Sequence, residues 1–162
     1  MEDHGSSALS RLLAEHRDAV TATHADLGDA TAVVDRTRIV EVLRFLRDDP
    51  ELEFEMLSDV TAVDLLPATP RFEVVYHLYS VAKNHRVRIK APVPEGAPQI
   101  DSVSSLFGSA NWMEREVYDM YGIHFEGHPD LRRLLLYDEF EGHPLRKDYP
   151  KEKRQPLVGP RN

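Results

Sequence analysis

The sequence of 162 residues contains no cysteine. Without a thiol the chain cannot form a disulfide, a cysteine-ligated zinc site or an iron–sulfur cluster held by its own thiolates, and it offers no cysteine nucleophile. It also lacks long apolar runs, since the aliphatic group 134–136 is far shorter than the ~20 residues that a membrane-spanning helix needs. Any attachment to a membrane is therefore expected to come through a partner.

Positive charge is in the minority, with 20 Lys and Arg against 28 Asp and Glu and a net charge of −8. This balance argues against a nucleic-acid binder, because phosphate contacts need clustered basic residues. The sequence also lacks the glycine-rich phosphate-binding motifs and the G-x-S-x-G nucleophile motif. Its length and its 41% of hydrophobic residues are typical of one globular domain.

Apolar spacing predicts two helices in the first 50 residues, with a short strand at 32–34 between them. Asp35 is the expected N-cap of the second helix, and Asp49-Pro50 is expected to end it. The first stripe consists of Leu9, Leu12, Leu13, His16 and Val20. The second consists of Ile39, Val42, Leu43 and Leu46.

Alternating apolar residues predict a strand within 54–66 and a hairpin of strands at 72–79 and 86–90. Arg86, Arg88 and Lys90 share one face of the second hairpin strand, which is expected to face water or an acidic neighbour. A proline-rich loop at 92–98 follows, and helical spacing resumes through 103–107.

A further helix is predicted to begin at Asn111, where Asn111 and Glu114 resemble a capping box, and to end at Gly122 as the C′ residue. The order of elements predicts an α+β fold in which N-terminal helices pack on a small mixed or antiparallel sheet. We expect residues 1–125 to form the compact part, and residues 126–162 to form an extended, partner-binding C-terminal segment of the same domain.

The helix after Asn111 carries Glu114, Arg115, Glu116 and Asp119 along the border of its apolar stripe. Arg115 and Asp119 lie four residues apart and are expected to pair. These charges are typical of a salt-bridged helix edge, although paired carboxylates can also act as acid and base or bind a metal.

Two Gly-His-Pro units, Gly127-His128-Pro129 and Gly142-His143-Pro144, are each followed by a basic pair. The glycine permits a turn and the proline favours an extended preceding residue, so each unit is expected to form a corner. A metal-dependent hydrolase using His128, His143, Glu116 and Asp119 is one alternative, but no helical ligand motif supports it.

The residues that carry this pattern resemble a known family. Residues 114–135, Glu-Arg-Glu-Val-Tyr-Asp-Met-Tyr-Gly-Ile-His-Phe-Glu-Gly-His-Pro-Asp-Leu-Arg-Arg-Leu-Leu, and residues 142–150, Gly-His-Pro-Leu-Arg-Lys-Asp-Tyr-Pro, are similar to the signature of the 30 kDa subunit of respiratory complex I. In bacteria this protein is the C subunit of NADH-quinone oxidoreductase.

The resemblance implies a non-catalytic subunit of the peripheral arm that binds the large quinone-site subunit of the 49 kDa type and the iron–sulfur subunits. NADH, FMN, iron–sulfur clusters and quinone then belong to other chains, and this chain binds no cofactor or metal. The complex would couple electron transfer to ion translocation at the cytoplasmic face of the inner (plasma) membrane. The equivalent subunit of a membrane-bound, energy-converting hydrogenase is the alternative.

The same resemblance assigns the signature residues to a partner interface and leaves the chain without catalytic residues. The interface residues it implies are Glu114, Arg115, Glu116, Asp119, Gly127, His128, Pro129, Arg132, Arg133, His143, Pro144, Arg146, Lys147 and Asp148.

Overall fold

A computed structural model describes residues 4–159. The helices are α1 (His4–Glu15), α2 (Ile39–Asp48) and α3 (Ala110–Tyr121). The strands are β1 (Val20–His24), β2 (Thr31–Val34), β3 (Met56–Asp64), β4 (Phe72–Ser80), β5 (His85–Val93), β6 (Gln99–Asp101) and β7 (His124–Glu126). Short 3₁₀ turns at Asp26–Gly28 and Arg36–Arg38 complete the regular elements. No helix in this described part of the chain is both long and apolar enough to span a membrane.

Five strands form one mixed sheet in the order β1-β2-β5-β4-β3. Neighbouring strands are antiparallel except for β2 and β5, which run parallel. The predicted hairpin is confirmed as β4 and β5, and its alternating pattern buries Phe72, Val74, Tyr76 and Leu78 on the core face. A separate pair, β6 and β7, is parallel. The structure therefore confirms an α+β fold with helices on a mixed sheet.

The second predicted helix is confirmed as α2. Its stripe of Ile39, Val42, Leu43 and Leu46 is fully buried in the core. Asp35 also has the predicted capping role, because its carboxylate accepts a hydrogen bond of 2.8 Å from the Thr37 amide and opens the 3₁₀ turn that leads into α2. The cap thus acts one turn before the α-helix itself.

Three predictions of helix and strand extent were wrong. α1 ends at Glu15 and Val20 begins β1, because the β-branched residues after Ala19 pair with β2 instead of extending the helix. Residues 103–107 form turns rather than a helix. Pro92 lies inside β5 rather than in a loop, at a position beyond the stretch that pairs with β2, where a missing amide is tolerated.

The basic row on β5 was predicted to face water or an acidic neighbour, and both occur: Arg86 is exposed, whereas Arg88 and Lys90 have acidic neighbours. Arg88 lies 2.9 Å from the Asp29 carboxylate, and Lys90 lies 2.9 Å from that of Glu73. After β7, residues 127–159 contain neither helix nor strand. The division of the chain into a compact part and a partner-binding part at 125/126 stays a prediction.

Replacing Asp35 with Ala should lower the free energy of unfolding by about 1 kcal/mol, because the cap on the Thr37 amide is lost. Asp35→Ser keeps a side-chain acceptor and should restore most of this loss. Thermal or denaturant unfolding of the two variants checks the cap, and equal stabilities of Asp35→Ala and the original chain would contradict it.

Candidate partner interface

Helix α3 buries charged side chains that the sequence spacing had placed at the border of its apolar stripe. Glu114 and Asp119 are fully buried and Arg115 is nearly so, whereas Glu116 is exposed. A helix can bury charge only where the charge is hydrogen-bonded. The partners of these groups lie mainly in residues 127–159, which we call the C-terminal segment.

Asp119 is the main anchor of the C-terminal segment. Its Oδ2 accepts hydrogen bonds from three successive amides, those of residues 134, 135 and 136, at 2.8 to 3.0 Å. Its Oδ1 accepts from Nη1 of Arg133 at 2.8 Å. Burial alone would raise the pKa of Asp119, but these hydrogen bonds outweigh it and lower the pKa below its usual range. The carboxylate therefore stays ionised and holds an irregular stretch of backbone.

Arg115 does not pair with Asp119, which corrects the prediction from their spacing. Its Nε and Nη2 donate to the carbonyl oxygens of Arg132 and Arg133, each at 3.0 Å. Its guanidinium also lies 5.2 Å from the centre of the Trp112 ring. Two side chains of α3 thus hold consecutive parts of the same backbone, Arg115 through its carbonyls and Asp119 through its amides.

The first Gly-His-Pro corner docks at the start of α3 through His128. The amide of Asp130 donates to Nδ1 of His128 at 3.0 Å, so the ring proton is on Nε2, which donates to the carbonyl of Asn111 at 2.9 Å. The His128 side chain is fully buried. The predicted capping box is wrong, because Glu114 hydrogen-bonds to Ser102 and to the Val103 amide and not to the start of its own helix.

The second Gly-His-Pro corner covers the other end of α3. The last carbonyls of a helix have no partner within it. Here Nδ1 of His143 bonds to the Asp119 carbonyl at 2.9 Å, the Leu145 amide to that of Met120 at 3.2 Å, and Nε of Arg146 to that of Tyr121 at 2.5 Å. Burial lowers the pKa of His143, so its neutral ring donates this bond at neutral pH.

Gly122 is confirmed as the C′ residue of α3, with φ of 72° and an amide bonded to the Tyr118 carbonyl. A Cβ at this position would lie 2.5 Å from Nε2 of His143 and 2.7 Å from Nη2 of Arg146. The glycine is therefore required twice, once by the left-handed backbone and once by the close approach of the second corner.

A third attachment centres on Arg71, which sequence reasoning did not select. Asp64 ends β3 and Arg71 precedes β4, and the two side chains make a buried two-point contact at 3.0 and 2.8 Å. Arg71 also binds Asp148 at 3.0 and 2.7 Å and Glu95 at 2.5 Å, while the Lys147 amide donates to Asp64 at 2.8 Å. Hydrogen bonds from Arg71 hold the pKa of Asp64 far below its usual range.

The sequence did contain a signal for the pair of Asp64 and Arg71. The two residues have opposite charges and lie near the two ends of the connection between two predicted strands. Their link to Asp148 crosses 77 residues and has no local pattern. Most of the charged residues of the predicted interface, and both of its histidines, either belong to α3 or contact α3 or Arg71. Glu116, Gly127, Pro129, Arg132, Lys147 and Asp148 keep exposed surface.

Neither histidine is free to act as the predicted alternative metal site requires. His128 and His143 contact carbonyls near opposite ends of α3, and Glu116 faces solvent. Across residues 4–159 there is no group of three or more His, Cys, Asp or Glu side chains that could hold a metal ion. The arrangement suits attachment of a peptide segment and gives no support to hydrolysis.

The outer surface of the C-terminal segment is partly apolar. Leu135 is 61% exposed, Leu145 51% and Tyr137 39%. The backbones of Leu135 and Leu145 are nevertheless held in place, since their amides bond to α3, and the side chain of Tyr137 is fixed by its hydroxyl, which donates to the Pro156 carbonyl. Apolar side chains on a fixed backbone are available for a contact with another protein.

Comparison with known proteins gives one family model, described as the respiratory-chain NADH dehydrogenase 30 Kd subunit, that matches residues 32–155. The C subunit of NADH-quinone oxidoreductase from Citrifermentans bemidjiense is 52% identical over 134 residues, which cover 82% of each chain. The corresponding protein of Trichlorobacter lovleyi is 48% identical over 155 residues, which cover 94% of each chain.

Two solved structures are also similar. A trypsin-resistant fragment (1–134) of Nqo5 superposes with a TM-score of 0.67 at 37% identity, over 76% of this chain and 99% of the fragment. A chain in the structure of the membrane-bound sulfane sulfur reductase, an archaeal respiratory membrane complex, has a TM-score of 0.77 at 24% identity, over 92% of this chain and 87% of that one. The second similarity concerns the fold alone.

Gly122→Ala should destabilise the chain and release the second corner, because it combines left-handed backbone strain with a clash against His143 and Arg146. Gly127→Ala is the matched control, since Gly127 has φ of 78° but open space around its Cβ position. We expect Gly127→Ala to cost about 1 to 2 kcal/mol and Gly122→Ala clearly more. Denaturant unfolding measures the loss of stability, and limited proteolysis at sites after residue 142 measures the release of the second corner. Equal effects of the two variants would contradict the prediction.

Arg71→Met should lower the free energy of unfolding by about 3 to 5 kcal/mol, because it leaves Asp64 buried without its partner. Glu95→Ala removes a partner of the same guanidinium that is 59% exposed, and it should change stability by less than about 1 kcal/mol. Denaturant unfolding of both variants provides the comparison. If Glu95→Ala lowered the free energy of unfolding as much as Arg71→Met, the buried pair of Asp64 and Arg71 would not be the main source of stability at this attachment.

Proposed function

Because the chain belongs to the family of the 30 kDa subunit of respiratory-chain NADH dehydrogenase, we propose that it is a non-catalytic, peripheral-arm subunit of an NADH:quinone oxidoreductase. In this role it stabilises the quinone-reducing module of the complex. The C-terminal segment is the part of the chain that reaches the neighbouring subunits.

One observation carries this proposal. The C-terminal segment has no helix or strand, yet charged and polar groups of α3 and Arg71 hold it along its length while apolar side chains point outward. Ordering a segment costs conformational entropy at every residue, and a segment that is already ordered does not pay this backbone cost again when a partner binds.

The signature residues divide into two groups under this proposal. Buried or half-buried members such as Asp119, Arg133 and His143 position the segment and do not touch the partner. Exposed members make the contact together with the apolar side chains. The exposed members are Glu116, Gly127, Pro129, Arg132, Lys147 and Asp148.

The partners are other subunits of the complex, and we propose the large quinone-site subunit of the 49 kDa type together with iron–sulfur subunits. An apolar surface suits a stable interface between subunits, which is more apolar than the rest of a protein surface. A chain without cysteine leaves the iron–sulfur clusters to those partners. NADH, FMN and quinone are likewise assigned to other chains.

The protein joins a membrane-associated respiratory complex. We propose that it lies at the cytoplasmic face of the inner membrane and is attached only through its partners. We also propose that the complex couples its electron transfer to ion translocation. The contribution of this chain to that coupling is mechanical, because it fixes the position of the module in which quinone is reduced.

Affinity purification of the tagged chain from its native membranes tests the assembly. Co-purification of an NADH-oxidising, flavin-bearing subunit and a quinone-site subunit is expected, whereas the purified chain alone should have no bound cofactor and no dehydrogenase activity. A nickel-bearing large subunit in place of the flavin-bearing one would assign the chain to a hydrogenase. A stoichiometric cofactor on the isolated chain would refute the non-catalytic role.

Leu145→Asp should lower the yield of assembled complex by about tenfold or more, because a carboxylate would be placed in an apolar contact and a tenfold loss needs only about 1.4 kcal/mol. Leu27→Asp is the matched control, since Leu27 is fully exposed in the turn after β1 and its positive φ suits Asp. Both variants should unfold like the original chain. Normal assembly of Leu145→Asp would remove Leu145 from the interface.

A further inference from the structure

Glu114 is a fully buried carboxyl group that the proposed assembly role does not use. Its Oε1 accepts from the Val103 amide at 2.7 Å, and its Oε2 lies 2.6 Å from the hydroxyl oxygen of Ser102. Both partners belong to the turn after β6 and are uncharged. A buried carboxylate with neutral partners alone is costly, because its charge is not compensated.

The titratable neighbours of Glu114 do not neutralise it. His128 approaches from the first corner with Nε2 at 3.9 Å from Oε2, but its Nδ1 accepts the Asp130 amide and its Nε2–H is donated to the Asn111 carbonyl, so neither ring nitrogen donates to Glu114. Tyr76 approaches from β4 and is fully buried. Its pKa is raised first by burial and then by the negative charges of Glu114 and Asp101, the latter on β6.

A chain of hydroxyl groups connects this carboxyl group to the surface. The Ser102 hydroxyl lies 2.8 Å from that of Ser104, and Ser104 is partly exposed. Each hydroxyl can donate one hydrogen bond and accept another. The chain therefore allows a proton to move between Glu114 and solvent without opening the core.

We propose that Glu114 is a proton-binding site that fastens the first corner, residues 127–130, to the start of α3. With the proton bound, Glu114 is neutral and the corner stays closed. When the proton leaves Oε2 it passes to Ser102, the Ser102 proton passes to Ser104, and that of Ser104 passes to water, which leaves a buried carboxylate.

Opening of the first corner is the simplest way to hydrate that carboxylate. Of the groups around Glu114, Tyr76 lies in a strand, and Ser102 and Val103 lie in the turns after β6. The first corner lies in neither, and its His128 ring covers Oε2. The proton site is a property of the chain's own fold and needs no partner subunit.

The electrostatics of the site place the transition near neutral pH. Burial raises the pKa of Glu114 from about 4.5 to about 7, and hydrogen bonds from Ser102 and Val103 offset only part of that rise. The closed state therefore binds the proton more tightly than the open, hydrated state. The stability this group contributes to the closed state is complete below pH 4.5 and is lost as pH rises through 7.

Hydrogen exchange of the Asp130 amide in the full chain tests the proposal, because that amide is bonded to His128. From pH 6 to pH 8 its protection factor, corrected for intrinsic exchange, should fall about tenfold, as the two pKa values require. Glu114→Gln should abolish this fall. Glu126→Gln, an exposed change in β7 next to the corner, should leave it unchanged.

A protection factor that does not change with pH in the original chain, or an equal fall in Glu114→Gln, would overturn the proposal. Should Glu114→Gln not fold, a carbon-13 NMR titration of the Glu114 carboxyl group in the original chain decides instead. A midpoint near 7 supports the proton site, and a midpoint near 4.5 rejects it.

Discussion

The carboxylate of Asp119 is the interaction on which the position of the C-terminal segment depends. One oxygen satisfies three consecutive amides that have no sheet or helix to join, and the other oxygen fixes Arg133. An irregular segment normally leaves such amides to water, and it then stays mobile. Here a single side chain replaces a strand partner, and the attachments at Arg115, at the end of α3 and at Arg71 extend its effect along the segment.

This arrangement explains why α3 is so strongly charged. The helix packs through its apolar side chains, as its spacing indicated, but the charges beside them are directed at backbone groups rather than at each other. Most of the charge that is typical of a solvated helix edge in the sequence is in fact buried: Arg115 and Asp119 hold the C-terminal segment, whereas Glu116 stays exposed. The buried charges therefore hold the segment, and the exposed side chains face outward.

Much of the fold was predictable because its signals are local. The alternation in β4 and β5, the stripe of α2, the cap at Asp35 and the glycine that ends α3 each depend on a few neighbouring residues. The end of α1 and the turns at 103–107 were not predictable in this way, because tertiary pairing overrides helical spacing there. In the site, the role of the two corners was foreseeable only as a tendency to turn. The contact of Arg71 with Asp148 and those of Arg115 with residues 132 and 133 were not foreseeable, because no local pattern links these residues.

The Arg71 attachment also has a consequence for synthesis on the ribosome. Asp64 and Arg71 are close in the sequence and can pair as soon as the β3–β4 connection emerges, but Asp148 and the Lys147 amide follow about 80 residues later. Until then Arg71 lacks its hydrogen bonds to Asp148, and Asp64 lacks the hydrogen bond from the Lys147 amide. The contacts of Arg71 with Asp148 and of Asp64 with the Lys147 amide can therefore form only after the C-terminal segment has been synthesised.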